Sequence, residues 1–593
     1  MRQPRLRAGA VAAVAALVAA GIAVVGQPAA AAPAGTATPA GRPAPNDPSG
    51  PAGQSGRRTT TTEAPHTNPN PLLKEVLAEE EDDRNAEDPA VSALCQSFLG
   101  KPNPYDNPAP NVDQIVNDAV VPVGSQAGCN TAQNETTIAV NPVNPRNLVA
   151  GANDYRLFNT REARNDSSSW AYTSFDRGRT WTNQALPKLN LQTGAAAPLS
   201  IMDAAGDPAL AYGPGNTVYF SSLVFSRAAT PEGDQGASGI TVSVSRDGGR
   251  TFGDPVIIQL DGVNPDGTHV PTTFFNDKNW IAADPTSGTV YVTWTRFTFD
   301  EEGNYLESPI VVSKSTDFGL HWSPMRRVSP TLDHLVNGIT PFAQGSNPRI
   351  GRDGTLYVTY EAAVCATVAC DQMADHDAII VATSRDSGRT FGNVEVAVDF
   401  DFPDTLTGEN FRLNSFPQLD YDRVTNQLWI TWADDRNGQY APDGTSIKTN
   451  GDVFIVTSTA GRGWSRPLRV GTSADEFFPA VAVFATRVAV SYYTRGFNPT
   501  GISLDYAYSA GWGRAINGAP VRRITTQSQD PRVQFVRVEP DGTETQGVFI
   551  GDYSAITMSQ DFVIHPCWTD FRGNPGTNTP NQDAYTQSIW ALF

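Results

Sequence analysis

From Glu135 onward the chain returns seven times to one pattern: a strand, a tight turn, and a second strand rich in β-branched and aromatic residues. The copies open at Glu135, Gly206, Asp277, Asn347, Phe416, Phe478 and Asp552; GDPALAYGPGNTVYFSSLVF and DKNWIAADPTSGTVYVTWTRF are typical. Units of about seventy residues that repeat in this way bury their apolar faces against one another rather than in separate cores. Alternating apolar positions within each copy argue for strands. The 51 Gly and 45 Pro among 593 residues suit the turns such a fold needs.

A second signal follows the first four copies: Ser-x-Asp-x-Gly-x-Thr-aromatic. It reads SFDRGRTW from Ser174, SRDGGRTF from Ser245, STDFGLHW from Ser315 and SRDSGRTF from Ser384, with first residues 71, 70 and 69 positions apart. The third has His321 in place of Thr, and the fifth and sixth copies keep only shortened forms without the Asp. The residue types are those of a turn. Gly accepts positive φ, and Ser and Asp oxygens accept the turn's backbone N–H groups. The aromatic residue is suited to burial between neighbouring strands. Asp176, Asp247, Asp317 and Asp386 are therefore expected to fix turns rather than to catalyse.

These boxes resemble the Asp-boxes (BNR repeats) of sialidases and related β-propellers, over roughly residues 135–593. The resemblance implies an all-β propeller of four-stranded blades. Seven blades are expected from the copies, with six, the number of sialidases, as the alternative. The seventh copy supplies three evident strands, so a strand around Gln114–Val116 is expected to complete its blade and close the ring.

Propeller topology places the boxes on one side and the chemistry on the other, where two-to-three loops and blade crossings converge. That second side is rich in charge. Strand ends carry Asp154, Arg156, Arg296, Glu361, Asp434, Asp435, Arg436, Arg495, Asp570 and Arg572. The crossings add Asp203, Asp207, Asp277, Lys278, Arg412, Asp475, Glu476, Asp552 and Tyr553. Aromatic-x-Asp-x-Arg occurs as WADDR (Trp432–Arg436) and WTDFR (Trp568–Arg572), with NDYR (Asn153–Arg156) close to it. One reading makes these pairs braces between blades. The other makes Arg156, Arg296, Arg412, Arg436, Arg495 and Arg572 a substrate-binding set, since guanidinium holds carboxylates bidentately. The sialidase resemblance implies an arginine cluster on a sugar carboxylate, a tyrosine nucleophile backed by a glutamate, and an aspartate acid/base. On this chain it points to Tyr553 as nucleophile, with Asp570 and Asp434 as the carboxyls. The sialidase Phe/Tyr-Arg-Ile-Pro motif ahead of the first blade is not found in this sequence.

The rest of the chain sets location and partners. Arg2, Arg5 and Arg7 precede an apolar stretch from Ala8 to Gly26 and the small residues Ala29–Ala32, so 1–32 reads as a signal peptide and the protein as secreted. Residues 33–70, rich in Pro, Gly, Ala and Thr, read as a disordered linker, and 71–134 as an extension with short helices. Five cysteines suit an oxidising compartment. Cys365–Cys370 is one expected disulfide, and Cys95, Cys129 and Cys567 compete for a second. A net charge of −19 argues against a nucleic-acid partner. No cofactor is expected. Asp399, Asp401 and Asp404 in DFDFPD offer hard oxygen ligands for a structural Ca²⁺, without the spacing of a known loop. The two functional readings are a secreted glycoside hydrolase acting on sialic acid or another acidic glycan, and a non-catalytic propeller binding a glycan, cell-wall polymer or protein. Either would act as a monomer on an extracellular glycan or glycoconjugate, with no membrane insertion after cleavage.

Overall fold

The computed structural model describes residues 93–98, 101–106, 110–117, 129–227, 236–300, 305–330, 339–365, 376–397, 406–436, 438–440, 446–448, 451–498, 501–538, 543–573 and 580–591. The expected signal peptide and linker, Asp399, Asp401, Asp404 and Cys370 lie outside them.

The chain forms a seven-bladed β-propeller, each blade a four-stranded antiparallel sheet. Blade one runs outward through Gln133–Val140, Leu148–Asn159, Arg164–Ser174 and Thr182–Ala185. The inner strands of blades two to seven are Ala204–Tyr212, Phe274–Ala283, Ile339–Ile350, Gln418–Asp422, Glu476–Phe484 and Ala555–Met558. Seven copies thus became seven blades. Apolar clusters lie between successive blades: Val149, Leu210 and Phe220 between one and two, and Ile138, Leu148, Ala555 and Ala584 between seven and one. Burial of these faces is the main force that holds the blades side by side.

Blade seven is closed from the N-terminal side. Val112–Asp113 pairs antiparallel with Asp583–Thr586, matching Val112 to Thr586 and Asp113 to Tyr585. The Gln114 N–H continues the pairing to the Ala584 carbonyl at 2.9 Å. The expected closing strand is therefore present two residues earlier than anticipated. A Cys95–Cys129 disulfide spans 34 residues and encloses that strand, and Ala93–Phe98 is a short helix at its start. This resolves the competition among three cysteines. Cys567 is a buried free thiol, and burial pushes it up to about 12. Cys365 is also disulfide-bonded, to a partner outside the described residues.

Every box sits in the turn between strands three and four. In each, the Ser hydroxyl accepts the Gly N–H: Gly178 to Ser174 at 2.8 Å, Gly249 to Ser245 at 2.8 Å, Gly319 to Ser315 at 3.0 Å and Gly388 to Ser384 at 2.8 Å. The Asp carboxylate accepts from the backbone and side chain of the Thr four residues on, and in the third box from His321. His321 keeps the geometry because its ring nitrogen takes the place of the Thr hydroxyl.

Candidate functional site on the propeller axis

The inner strands share a local irregularity. Register slips by one residue between Asn134 and Thr137, Gly206 and Ala209, Asp277 and Trp280, Gln344 and Asn347, and Phe477 and Ala480. At each bulge one residue takes a left-handed backbone: Glu135 (φ 52°), Asp207 (50°), Lys278 (47°), Gly345 (64°) and Phe478 (45°). For non-glycine residues this conformation costs on the order of 1 kcal/mol or more, so four such residues at one blade position mark a constrained centre. Gly345 is required sterically too, because a Cβ there would lie 2.3 Å from the Phe416 ring.

The bulges gather a buried charge cluster. Lys278 from blade three bonds Asp552 ahead of blade seven and lies 3.5 Å from Glu135 and 3.9 Å from Asp207. Its own N–H donates to Asp207 at 2.8 Å. Arg412, on the crossing into blade five, clamps Asp552 with Nε and Nη2 at 2.7 and 2.6 Å. Asn153 donates to Glu135 at 3.0 Å and accepts the Asp207 N–H at 3.0 Å. The Asp207 carboxyl acts on both Glu135 and Asp277 as a neighbouring like charge. Burial pushes Glu135 and Asp277 well above the usual carboxylate range, against the opposing pull of Lys278. Burial acts the same way on Asp552, but Arg412 and Lys278 outweigh it and hold this carboxyl well below that range. Lys278 and Arg412 are the cations that offset these carboxyls, as a buried cluster requires.

A cavity of about 10 Å³ adjoins the cluster, lined by Lys278, Trp280, Gly345, Phe416, Gln418 and Tyr553 among others. That is about the room one water needs. Tyr553 packs edge-on against Trp280, and its hydroxyl has no hydrogen-bond partner. Burial, then the charges of Glu135 and Asp207, push its phenol well above the ordinary value, the opposite of activation as a nucleophile.

The six arginines of the expected substrate set do not converge. Arg156 binds Asp154 at 2.6 Å and lies over Trp170. Arg296 binds Asp261 at 2.9 Å, and Arg495 binds Glu409 and Asp475 at 3.3 Å each. Arg436 binds Asp434, and Arg572 binds Asp570 at 2.7 Å. Only Arg412 reaches the axis. The aromatic-x-Asp-x-Arg pattern is a closed bracket at a strand end. In WTDFR, Asp570 accepts from Trp568 Nε1 at 3.0 Å, from the Arg572 N–H at 3.0 Å and from Arg572 Nε at 2.8 Å. Asp434 makes the same bracket with Trp432 and Arg436. Asp434 and Asp570 are fully buried, so both expected acid/base carboxyls are reassigned as braces. Arg572 is fully buried as well, its remaining bonds going to Thr526 and Asn111. It too moves from the ligand set to the braces.

No family model and no curated protein matches the chain. Among solved structures, a Hadza microbial sialidase aligns at 15% identity over 71% of this chain and 73% of its own, with a TM-score of 0.37. A protein of unknown function from Dyadobacter fermentans aligns at 14% identity over 64% and 94%, TM-score 0.39. Trypanosoma rangeli sialidase in complex with the inhibitor DANA aligns at 14% over 68% of this chain, which spans 58% of that protein, TM-score 0.37. Four boxes of one geometry on seven four-stranded blades fix the architecture. The chain is a seven-bladed β-propeller with four Asp-box turns.

In this propeller, Glu135 is the axial residue that sequence reading missed. Its signal was available: it opens the first repeat, 72 positions before Asp207. The reassigned brace is testable. Arg572→Ala should destabilise the propeller by on the order of 3 kcal/mol, because Asp570 stays buried with only Trp568 and Gln529 as side-chain donors. A thermal melt unchanged by the substitution would return Arg572 to a ligand role.

Two further carboxyls make stability depend on pH. Burial raises Glu476 to about 7 despite hydrogen bonds from Thr472, and raises Glu409 to about 7 despite Arg495. A folded-state value above the unfolded one means the folded form binds the proton more tightly. The associated stability is complete below the unfolded value of about 4.3 and is lost as pH rises through about 7. The melting temperature should therefore fall between pH 5 and 8, and Glu476→Gln should flatten that slope. A melting temperature that rises across this range would contradict the assignment.

Proposed function

We propose that this protein is an exported, non-catalytic propeller that binds an extracellular glycan or glycoconjugate. The observation that carries this reading is the pairing of Arg412 with Asp552. The guanidinium that reaches the axis already holds a carboxylate belonging to the protein, in the bidentate manner in which it would hold an acidic sugar. The other five arginines of the expected set also hold carboxylates of the protein: Arg156, Arg436 and Arg572 the Asp two residues before each, Arg296 the Asp261 of blade two, and Arg495 both Glu409 and Asp475. The N-terminal charged and apolar segment supports export, and the two kinds of disulfide-bonded cysteine agree with an oxidising destination.

One observation favours hydrolysis instead. Tyr553 and Glu135 are neighbours on the axis, the residue types with which the sialidase resemblance builds a nucleophile. The two readings separate in one pair of measurements on the mature chain: turnover of a fluorogenic sialoside and a glycan-array screen. Glycan binding without sialic acid release is the expected result. Turnover that disappears in Tyr553→Phe would overturn it in favour of a hydrolase, and neither turnover nor binding would remove both.

A further inference from the structure

The arginines at the blade crossings and those of the boxes differ in their partners. On the side of the crossings they are neutralised by carboxylates, as Arg156, Arg296, Arg412, Arg436, Arg495 and Arg572 show. The boxes hold six more: Arg177, Arg179, Arg246, Arg250, Arg385 and Arg389. Of these, among the described residues, only Arg177 has an ion pair, to Asp561 at 2.6 Å. The other five are exposed, and three of them donate to uncharged groups: Arg246 to the Phe318 carbonyl, Arg250 to the Asp247 carbonyl, Arg385 to the Ala460 carbonyl. The box aspartates lie in the same turns, but their oxygens accept the turns' own hydrogen bonds, as from Thr390 to Asp386, and they form no ion pair with these guanidinium groups among the described residues. A chain of net charge −19 thus presents, among the described residues, five exposed guanidinium groups without a direct ion pair on one face.

The same face carries flat apolar surface beside those charges. Arg250 stacks 3.7 Å over Phe175, and Arg246 lies 5.6 Å from the Phe318 ring centre. Phe318 and Leu320 of the third box are 40% and 59% exposed. The third box therefore places apolar side chains between the arginine pairs of the second and fourth. Guanidinium groups take carboxylate or sulfate bidentately, and exposed rings pack against the apolar faces of sugars. A polymer that offers both, at intervals, is an acidic polysaccharide.

We propose that the box face of blades one to four is a binding surface for an anionic polysaccharide bearing uronate or sulfate groups. This rests on the binding reading above and places the glycan on the side opposite to the one sequence reasoning favoured. No side-chain hydrogen bond ties Arg389 to its turn among the described residues, and Arg250 adds one exposed bond to the Asp247 carbonyl, while Asp247 and Ser245 carry the turn's other bonds, so the charge is separable from most of the turn's stability. Attraction at exposed sites is screened by salt.

The test uses the mature chain with polygalacturonate and heparin as probes and dextran as the neutral control, read by affinity electrophoresis and calorimetry at two salt concentrations. Binding to at least one acidic polymer, none to dextran, and weakening with salt are expected. Arg250→Glu/Arg389→Glu should lower that affinity at least tenfold while leaving the melting temperature in place. Phe318→Ser should weaken polysaccharide binding but not the binding of inorganic polyphosphate. No binding to either acidic polymer would overturn the proposal. So would binding that the double variant leaves intact, or equal affinity for duplex DNA or anionic vesicles through the same arginines. Glycan binding that survives the double variant would leave the reading of the preceding subsection standing without this surface, whereas sialoside turnover would defeat that reading itself.

Discussion

Lys278→Met should be among the most destabilising single substitutions on the propeller. Lys278 connects three blades to a fourth through one ammonium group, touching Glu135, Asp207 and Asp552. It is 6% exposed, and Asp552 only 1%. Methionine fills similar volume, so the loss is that of charge rather than packing. Four carboxyls would then face Arg412 alone. Breaking a buried pair in this way costs about 3–5 kcal/mol, because one charge stays behind without compensation. The cluster can recover part of that by taking up a proton, so the variant should lose more stability at pH 8 than at pH 5. Adding Asp552→Asn should restore part of the stability, since charge balance returns, and a double-mutant cycle measures the coupling directly. Additive effects of the two substitutions would show that the axial cluster does not act as a unit.

The second large effect concerns ring closure. Cys95 and Cys129 are both fully buried, and the 34-residue loop they close carries Val112–Asp113 to the outer edge of blade seven. In the chain-entropy account, a disulfide closing a loop of that length contributes about 4 kcal/mol. Cys95→Ser/Cys129→Ser should lower the melting temperature accordingly, more than loss of any single box turn. Deleting everything before Cys129 goes further and leaves the Asp583–Thr586 strand with an unpaired edge. Such edges pair with other molecules, so the truncated chain should self-associate in size-exclusion chromatography while the full chain does not. A truncated chain that stays monomeric and melts like the parent would mean that the extension does not close the ring.

Much of this was present in the one-dimensional pattern. The copies from Glu135 to Asp552 fixed the number of blades, and Ser174, Ser245, Ser315 and Ser384 marked the same turn in four of them. Those signals are local: a turn needs particular backbone angles and acceptors within a few residues, and a strand needs alternation over a few more. Repetition at about seventy residues then leaves little choice of how the sheets can cover one another.

What chain order could not decide was which charges meet. Asp570 and Arg572 are two residues apart and bind each other, while Lys278 and Asp552 are 274 apart and also bind each other. The spacing of an Asp-x-Arg pattern does not say whether the guanidinium folds back onto its own strand or points to the axis. That depends on the strand-end geometry and on what already occupies the centre. Glu135 and Tyr553 became neighbours only because the first and last blades of a closed ring are adjacent. The sequence by itself determined the repeat, the turns and therefore the propeller, because these rest on short-range stereochemistry. The tertiary structure alone decided which carboxylate each of these arginines pairs with, that burial pushes Glu135 and Asp277 up beside Lys278, and which cysteine remains free. Each of those depends on burial and on long-range contacts that exist only once the ring has closed.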